Sequence, residues 1–180
     1  MLIRAYRLGD EISITSIYRV CFSGPPWNQE VTEEEASARW QDHSSRSGFV
    51  CLVAEETQRV AGASWFDTIS REALAQERGR ELVDFVTSIS PIRPLVWVRE
   101  TIVDPFFQGR GVASQLKERA MQDIMEHLAP VILLTRMRDD NTKIVRANER
   151  LGFRRTGIRV ASKATPGLQH EYWYLVLEKL

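Results

Sequence analysis

Cysteine is scarce: the 180-residue chain has two, Cys21 and Cys51, both in apolar-flanked segments. Two thiols cannot build the disulfide framework of a small secreted domain, so a pair of free, buried thiols in a reducing cytoplasm is expected. An excess of either charge is also missing, because 24 Lys and Arg stand against 24 Asp and Glu. Bulk electrostatics therefore gives no argument for a nucleic-acid partner. No apolar run approaches the roughly 18–20 residues that span a bilayer, so no membrane partner is expected. The opening residues, Met1 to Arg7, lack the apolar core of a secretion signal. His43, His127 and His170 show no ligand spacing, so no metal is expected. No repeat, low-complexity stretch or composition break divides the chain. What remains is an ordinary globular mix, 43% apolar and 27% charged, of a length that suits a single domain over residues 1–180. A soluble cytoplasmic protein is the reading.

Periodicity and punctuation give the elements. Residues 2–7 read as a strand. Asp10 reads as the N-cap of a helix reaching about Cys21, with Ile12, Ile14, Ile17 and Tyr18 as core positions. Ser23, Gly24, Pro25 and Pro26 stop it. Thr32 and Glu35 form a capping box for a second helix to about Gln41. Residues 49–54 and 60–66 read as a hairpin around the polar turn 55–59. Residues 67–94 read as an insertion or lid, holding one helix over 71–86 that Gly79 weakens and Pro91 and Pro94 end. Residues 95–103 are a dense apolar strand suited to a sheet centre. A helix over 111–128 places Val112, Leu116, Ala120, Ile124 and Leu128 on one face. A short strand at 131–135 follows, then a helix over 141–151 stopped by Gly152. Strands at 153–160 and 171–178 close the chain. The order is strand, two helices, hairpin, insertion, strand, helix, strand, helix, two strands. It predicts a mixed α/β sheet flanked by helices.

The most informative stretch runs from Val103, Asp104 and Pro105 through Gln108, Gly109, Arg110, Gly111, Val112 and Ala113. A central strand ends, the chain turns, and a long helix begins. Two glycines let the backbone turn sharply and approach a ligand closely. The first helical amides lack intrahelical partners and carry the positive end of the dipole, which suits a phosphate or pyrophosphate. Arg110 adds formal charge. The alternative is a tight strand-to-helix turn that binds nothing. The Gly-x-Gly-x-x-Gly spacing and the Gly-Lys-Ser/Thr phosphate loop of nucleotide folds are absent.

On these residues the chain resembles the GNAT superfamily of N-acetyltransferases. The family hallmark, Gln/Arg-x-x-Gly-x-Gly/Ala after Val-x-Pro, is met by Gln108 to Ala113 after Val103, Asp104 and Pro105. A second family element is Asn followed eleven residues later by Gly-Phe, met by Asn141 with Gly152 and Phe153. The element order fits the family over nearly the whole chain, with sharp motifs only in residues 95–153. The resemblance implies a GNAT-like fold, acetyl-CoA (coenzyme A) as cofactor, and transfer of its acetyl group to a primary amine of a small molecule or peptide. It implies that Thr101, Ile102 and Val103 offer backbone groups to the pantetheine arm. Gln108, Gly109, Arg110, Gly111, Val112 and Ala113 would hold the pyrophosphate, with Ser114 close by. Asn141 matches a residue that contacts the cofactor, although a helix N-cap explains its place equally. Family members are often dimers, so a homodimer is compatible. A non-catalytic acyl-CoA-binding sensor of the same fold is the alternative function.

Glu100 is the candidate general base, because a charge inside an apolar strand is costly unless paired or used. The alternative is a structural ion pair with a neighbouring strand. Alternation puts Arg99 and Glu100 on opposite faces unless a bulge intervenes. The family tyrosine acid, seven residues after the Asn, is replaced here by Asn148, which can hydrogen-bond the thioester or cofactor but cannot serve as that acid. The Glu that a few members carry five residues before the Asn is replaced by Arg136. Tyr172 and Tyr174 are alternative acids, or strand residues. Trp27, beside Pro25 and Pro26, is the candidate acceptor-binding wall, or a cap on the core. The late loop 162–170, with Lys163, Pro166, Gly167 and His170, is a further candidate border of the cleft. None of these names the amine.

Overall fold

The computed structural model describes residues 1–162 and 165–179; Lys163, a candidate at the cleft border, lies outside them. The elements are β1 (Leu2–Ala5), α1 (Asp10–Ser23), α2 (Glu33–Ser44), β2 (Val50–Glu56), β3 (Arg59–Ile69), α3 (Arg71–Arg78), α4 (Arg80–Ile89), β4 (Leu95–Val103), a 3-10 turn (Pro105–Phe107), α5 (Val112–His127), β5 (Val131–Arg138), α6 (Thr142–Arg150), β6 (Arg154–Ala161) and β7 (Gln169–Leu177). The strands form one mixed sheet in the order β1-β2-β3-β4-β5-β7-β6. The β1–β2, β2–β3, β5–β7 and β7–β6 pairs are antiparallel, and β4–β5 is parallel. This is the mixed α/β sheet that the element order predicts. Among the described residues no helix is long and apolar enough to cross a membrane.

The residues fall into two compact units, Met1–Asp67 with Arg99–Gln122, and Thr68–Val98 with Asp123–Leu180. In the first, Ile14, Ile17 and Tyr18 of α1 meet Ala36 and Trp40 of α2 over Cys51, Val53, Ala63, Trp65 and Ile102 of the strands. Ile12, expected in this core, is 74% exposed. At 100° per residue it lies about 200° from Ile14, off the buried face. Asp10 is not the N-cap either: Gly9 holds that position, and Asp10 opens the helix. Its carboxylate instead accepts two hydrogen bonds from Arg4, at 2.7 and 2.9 Å, and one from the Arg7 amide. The capping box is as expected, Thr32 Oγ1 accepting from the Glu35 amide at 3.1 Å and the Glu35 carboxylate from the Thr32 amide at 2.9 Å. The hairpin turns on Thr57 and Gln58, both at positive φ, so β2 and β3 run closer to the turn than expected. Both cysteines are free thiols; Cys51 is buried and Cys21 half-buried.

In the second unit the expected helix over 71–86 is two helices. Gly79 sits between α3 and α4 at φ 97, a conformation that ends α3 and that side-chain-bearing residues rarely adopt. Leu74, Leu82, Val83 and Val86 of these helices bury against Leu95, Trp97, Ile132, Leu134, Ile158 and Tyr172. β5 continues three residues past the expected 135, because its pairing with β7 extends through Arg138↔His170. Tyr172 is therefore a core residue, 2% exposed.

One buried pair makes stability pH-dependent. The Trp65 indole donates to His43 Nδ1 at 3.0 Å, which requires that nitrogen to be unprotonated. Burial, and then the charge of Arg99, hold the His43 imidazole down at about 4, and burial with Arg136 holds His170 at about 4. The unfolded chain takes up these protons near pH 6.5, so it binds more protons than the folded one between about 6.5 and 4. Stability is full above that window and falls as pH drops through it, by up to roughly 1.4 kcal/mol per pH unit for each histidine. Urea midpoints measured between pH 7 and 5 should show this slope, and His43→Phe should remove one proton of it. A slope unchanged in that variant would exclude His43 as its source.

Candidate functional site

The strand-to-helix loop is built by its own sequence. The Asp104 carboxylate accepts from the Phe106 amide at 2.8 Å and starts the 3-10 turn, with Pro105 in its first position. Phe107 is buried beneath it. The Gln108 side chain folds back, its Nε2 donating to the Val103 carbonyl at 3.0 Å. Gln108 thus staples the loop to the end of β4. Gly109 and Gly111 both sit at positive φ, 78 and 79. A Cβ at Gly111 would find its nearest neighbour, Gln115 Nε2, at 3.8 Å, so the backbone conformation selects glycine here, not crowding. The Gln115 amide bonds to the Gly111 carbonyl at 3.1 Å. The amides of Val112, Ala113 and Ser114 precede that bond and are the open donors of the α5 N-terminus. Arg110 lies 4.9 Å from the Phe106 ring centre and 3.9 Å from the Glu56 carboxylate. Lys117, one turn further on, is 9% exposed, and burial lowers its ammonium to about 8.

β4 carries the other half of the expected site. It is buried at both ends but half-buried over residues 98–101. Its parallel register with β5 runs from Leu95↔Ile132 to Trp97↔Leu134, and beyond it the Thr135 hydroxyl donates to the Val98 carbonyl at 3.2 Å. Arg99 reaches Asp67 of β3 with two bonds, at 2.6 and 2.7 Å, both side chains being almost fully buried. Thr101 bonds Ser64 of β3 through their hydroxyls at 2.9 Å. Asp67 and Ser64, three apart, lie on opposite faces of β3, whereas Arg99 and Thr101, two apart, would share a face of a regular β4. The alternation of β4 therefore breaks between Arg99 and Thr101, the effect of a bulge. Arg99 thus forms a buried ion pair with the neighbouring strand.

Glu100 is half-buried, and its charge reaches two residues of α1. Burial, and secondly Glu100, push the Tyr18 phenol up. Burial raises the Cys21 thiol too, and its Sγ donates to the Val103 carbonyl at 3.2 Å. That carbonyl thus accepts from both Cys21 and Gln108. Trp27 is half-buried and 5.1 Å from the Phe22 ring centre. In the second unit, Asn141 Oδ1 accepts from the Ile144 amide at 3.4 Å, so the N-cap reading holds. Asn148 is 4% exposed, and its Nδ2 donates to the Met137 sulfur. The helical register that places it inward was legible in the spacing; its sulfur partner was not.

A search of curated protein sequences returned no match. Solved structures match over nearly the full length. Ribosomal-protein-alanine N-acetyltransferase from Brucella melitensis is 19% identical, with 98% of this chain and 100% of that one covered and a TM-score of 0.71. YncA from Salmonella typhimurium, solved with its cofactor acetyl-CoA, is 19% identical at a TM-score of 0.70, covering 100% of this chain and 95% of that one. A variant of the spermidine N-acetyltransferase SpeG from Vibrio cholerae is 17% identical at 0.64, covering 98% and 95%. At such identities the likeness is one of fold. The sequence model of the acetyltransferase (GNAT) family, however, matches residues 12–153, from α1 past the glycine loop to the Gly152-Phe153 pair. A mixed sheet of this order, a glycine turn opening α5 and a match over most of the chain agree: the protein belongs to the acetyltransferase (GNAT) family.

Proposed function

We propose that this chain is an acetyl-CoA-dependent N-acetyltransferase that modifies a primary amine of a small molecule or peptide. The observation that carries the reading is the α5 N-terminus, where two positive-φ glycines precede three open amides. The pyrophosphate of acetyl-CoA would lie on the amides from Gly109 to Ser114. Gln108 acts indirectly, its side chain holding the loop against β4. The half-buried backbone at 98–101, continuing into Thr101, Ile102 and Val103, supports an extended pantetheine arm alongside. Of the Val103 polar groups the carbonyl is already engaged twice, which favours its neighbours as pantetheine partners.

The chemistry follows from direct attack. The amine nitrogen forms a bond to the thioester carbonyl carbon, the carbon–sulfur bond breaks, and the electron pair leaves on coenzyme A sulfur. Glu100 takes the proton that the nitrogen must lose. The thiolate is protonated from solvent, since Asn148 stands where the family tyrosine would be and an amide is no acid at neutral pH. Trp27 would line the acceptor side. Asn141 and Asn148 would serve the cofactor as family positions.

Calorimetric titration with acetyl-CoA, followed by thiol release against an amine panel, tests the reading. Binding with turnover supports it, binding without turnover points to a sensor, and no binding refutes it. Gly111→Asp sharpens the test. A carboxylate facing the pyrophosphate should weaken acetyl-CoA binding about 10–100-fold, the scale of a partly screened repulsion of roughly 1–3 kcal/mol. Gly111→Ala controls for the backbone, since it adds only the left-handed strain of roughly 1–2 kcal/mol. Equal affinities for both variants would mean that no phosphate lies at this helix end.

A further inference from the structure

The end of β4 crowds β3 at Gly62. A Cβ there would lie 2.5 Å from the Ile102 carbonyl oxygen, 3.2 Å from Val103 Cα and 3.3 Å from Val103 Cγ2. The φ of Gly62 is outside the left-handed region, so its own backbone does not call for glycine. The neighbouring strand does, because the Ile102 carbonyl fills the space of the missing side chain. Bonds on either side fix this approach. The Asp104 amide donates to the Ala61 carbonyl at 2.9 Å, and the Ser64 hydroxyl donates to the Glu100 carbonyl at 3.2 Å. Ala61, Ala63 and Ser64 are fully buried, so β3 has no free room to retreat. The approach also orients the backbone of β4. Ile102 and Asp104, two apart, both turn polar groups to β3, so the alternating residues Thr101 and Val103 turn theirs to the opposite edge. The paired register with β5 ends at Trp97, before either of them. The Val103 carbonyl on that edge is taken by Cys21 and Gln108.

Resting on the acyltransferase reading, we infer that Gly62 is a positioning residue for acetyl-CoA. Its bare Cα lets the end of β4 settle on β3, and that contact holds the Thr101 carbonyl and amide and the Val103 amide toward the pantetheine arm. An extended arm with amides of its own takes such groups as an added strand would. Gly62 acts through β4 and not on the cofactor itself. A methyl group at position 62 would force the Ile102 carbonyl back by about 1 Å, since non-bonded heavy atoms rest at roughly 3.5 Å. Misplacement on that scale costs up to about 10²-fold where binding and reaction depend on fixed geometry. The glycine loop would keep its own shape, because Gln108 ties it to Val103 and carries it along with the strand.

Two ligands serve as calorimetric probes: acetyl-CoA, and its nucleotide half 3′-phospho-ADP, which has the pyrophosphate but no arm. Gly62→Ala should weaken acetyl-CoA about 10–100-fold and leave 3′-phospho-ADP unchanged. The thermal midpoint falls whether Gly62 positions the arm or only packs, so the ratio of the two affinities is the readout. Amide hydrogen exchange on the native chain needs no variant and decides the matter even if Gly62→Ala does not fold. Acetyl-CoA should slow exchange at Thr101 and Val103, and 3′-phospho-ADP should not. A Gly62→Ala chain that keeps the native affinity for acetyl-CoA, or that loses both ligands equally, overturns the inference, as does unchanged exchange at Thr101 and Val103. Where the native chain binds acetyl-CoA, those outcomes leave the acyltransferase reading intact. If the native chain binds neither ligand, that reading falls and takes this inference with it.

Discussion

Glu100→Gln should lower turnover on any accepted amine by about 10²–10⁴-fold, the usual contribution of a positioned acid or base. The amide keeps the size and the hydrogen-bonding reach of the carboxylate but cannot take a proton at neutral pH. The affinity for acetyl-CoA should change little, because the pyrophosphate loop 108–114 is untouched and the substitution keeps the β4 backbone that would lie along the pantetheine arm. The rate–pH profile separates a base from a mere anchor. If Glu100 is the base, the variant's profile should differ in shape from the native one. Free Tyr18 and Cys21 of the negative charge, and both should ionise more easily, since Glu100 raises each of them. A variant with the native profile and rate would retire Glu100 as the base.

Much of this fold could be read from the sequence, because its cues are local. The capping box at Thr32 and Glu35, the dense run at 95–103 and the glycine turn into α5 all rest on residues within a few positions of each other. The same holds for Asn141, whose place before a helix predicts the cap that it makes. Local cues also misled. Asp10 has the composition of an N-cap, yet its carboxylate is drawn to Arg4 of β1, a partner that only the β1–α1 turn brings near. Ile12 is apolar but off the buried face, and composition does not record helical phase. Gly79 was visible as a weakness in one helix; only its left-handed backbone shows that it divides two.

The site was legible in its motif and not in its surroundings. Gln108 stands in the loop motif, but its side chain bonds the backbone at the end of β4. The bulge in β4 cannot be counted from residues 95–103 alone, because it appears only against Ser64 and Asp67 of the neighbouring strand. Tyr18 read as an ordinary core position of an amphipathic helix. The effect of the Glu100 charge on it depends on where α1 lies over β4, which no local pattern encodes. Lys117 likewise escapes a periodic reading, since lysine is almost never buried unless paired.

The bulge also explains why a buried ion pair stands immediately before the candidate base. Asp67 and Arg99 have side chains 1% and 2% exposed, and Arg46 approaches the same carboxylate at 4.0 Å. Asp67→Ala leaves the Arg99 guanidinium in the interior without its main counter-charge, and should cost roughly 3–5 kcal/mol of stability. Urea unfolding at pH 7.5, above the histidine window, measures this without contribution from His43. The double variant Asp67→Leu with Arg99→Met should regain most of that loss, because well-packed apolar residues replace buried ion pairs at little cost. Activity should not return with stability. A methionine in place of Arg99 cannot bind across to β3 with two directed hydrogen bonds, so the strand loses the clamp on one side of its bulge and Glu100 its fixed direction. A double variant that is both stable and fully active would show that the pair serves only the core. A single variant that loses less than about 1 kcal/mol, the scale of an exposed pair, would show that the pair is not buried as the geometry has it.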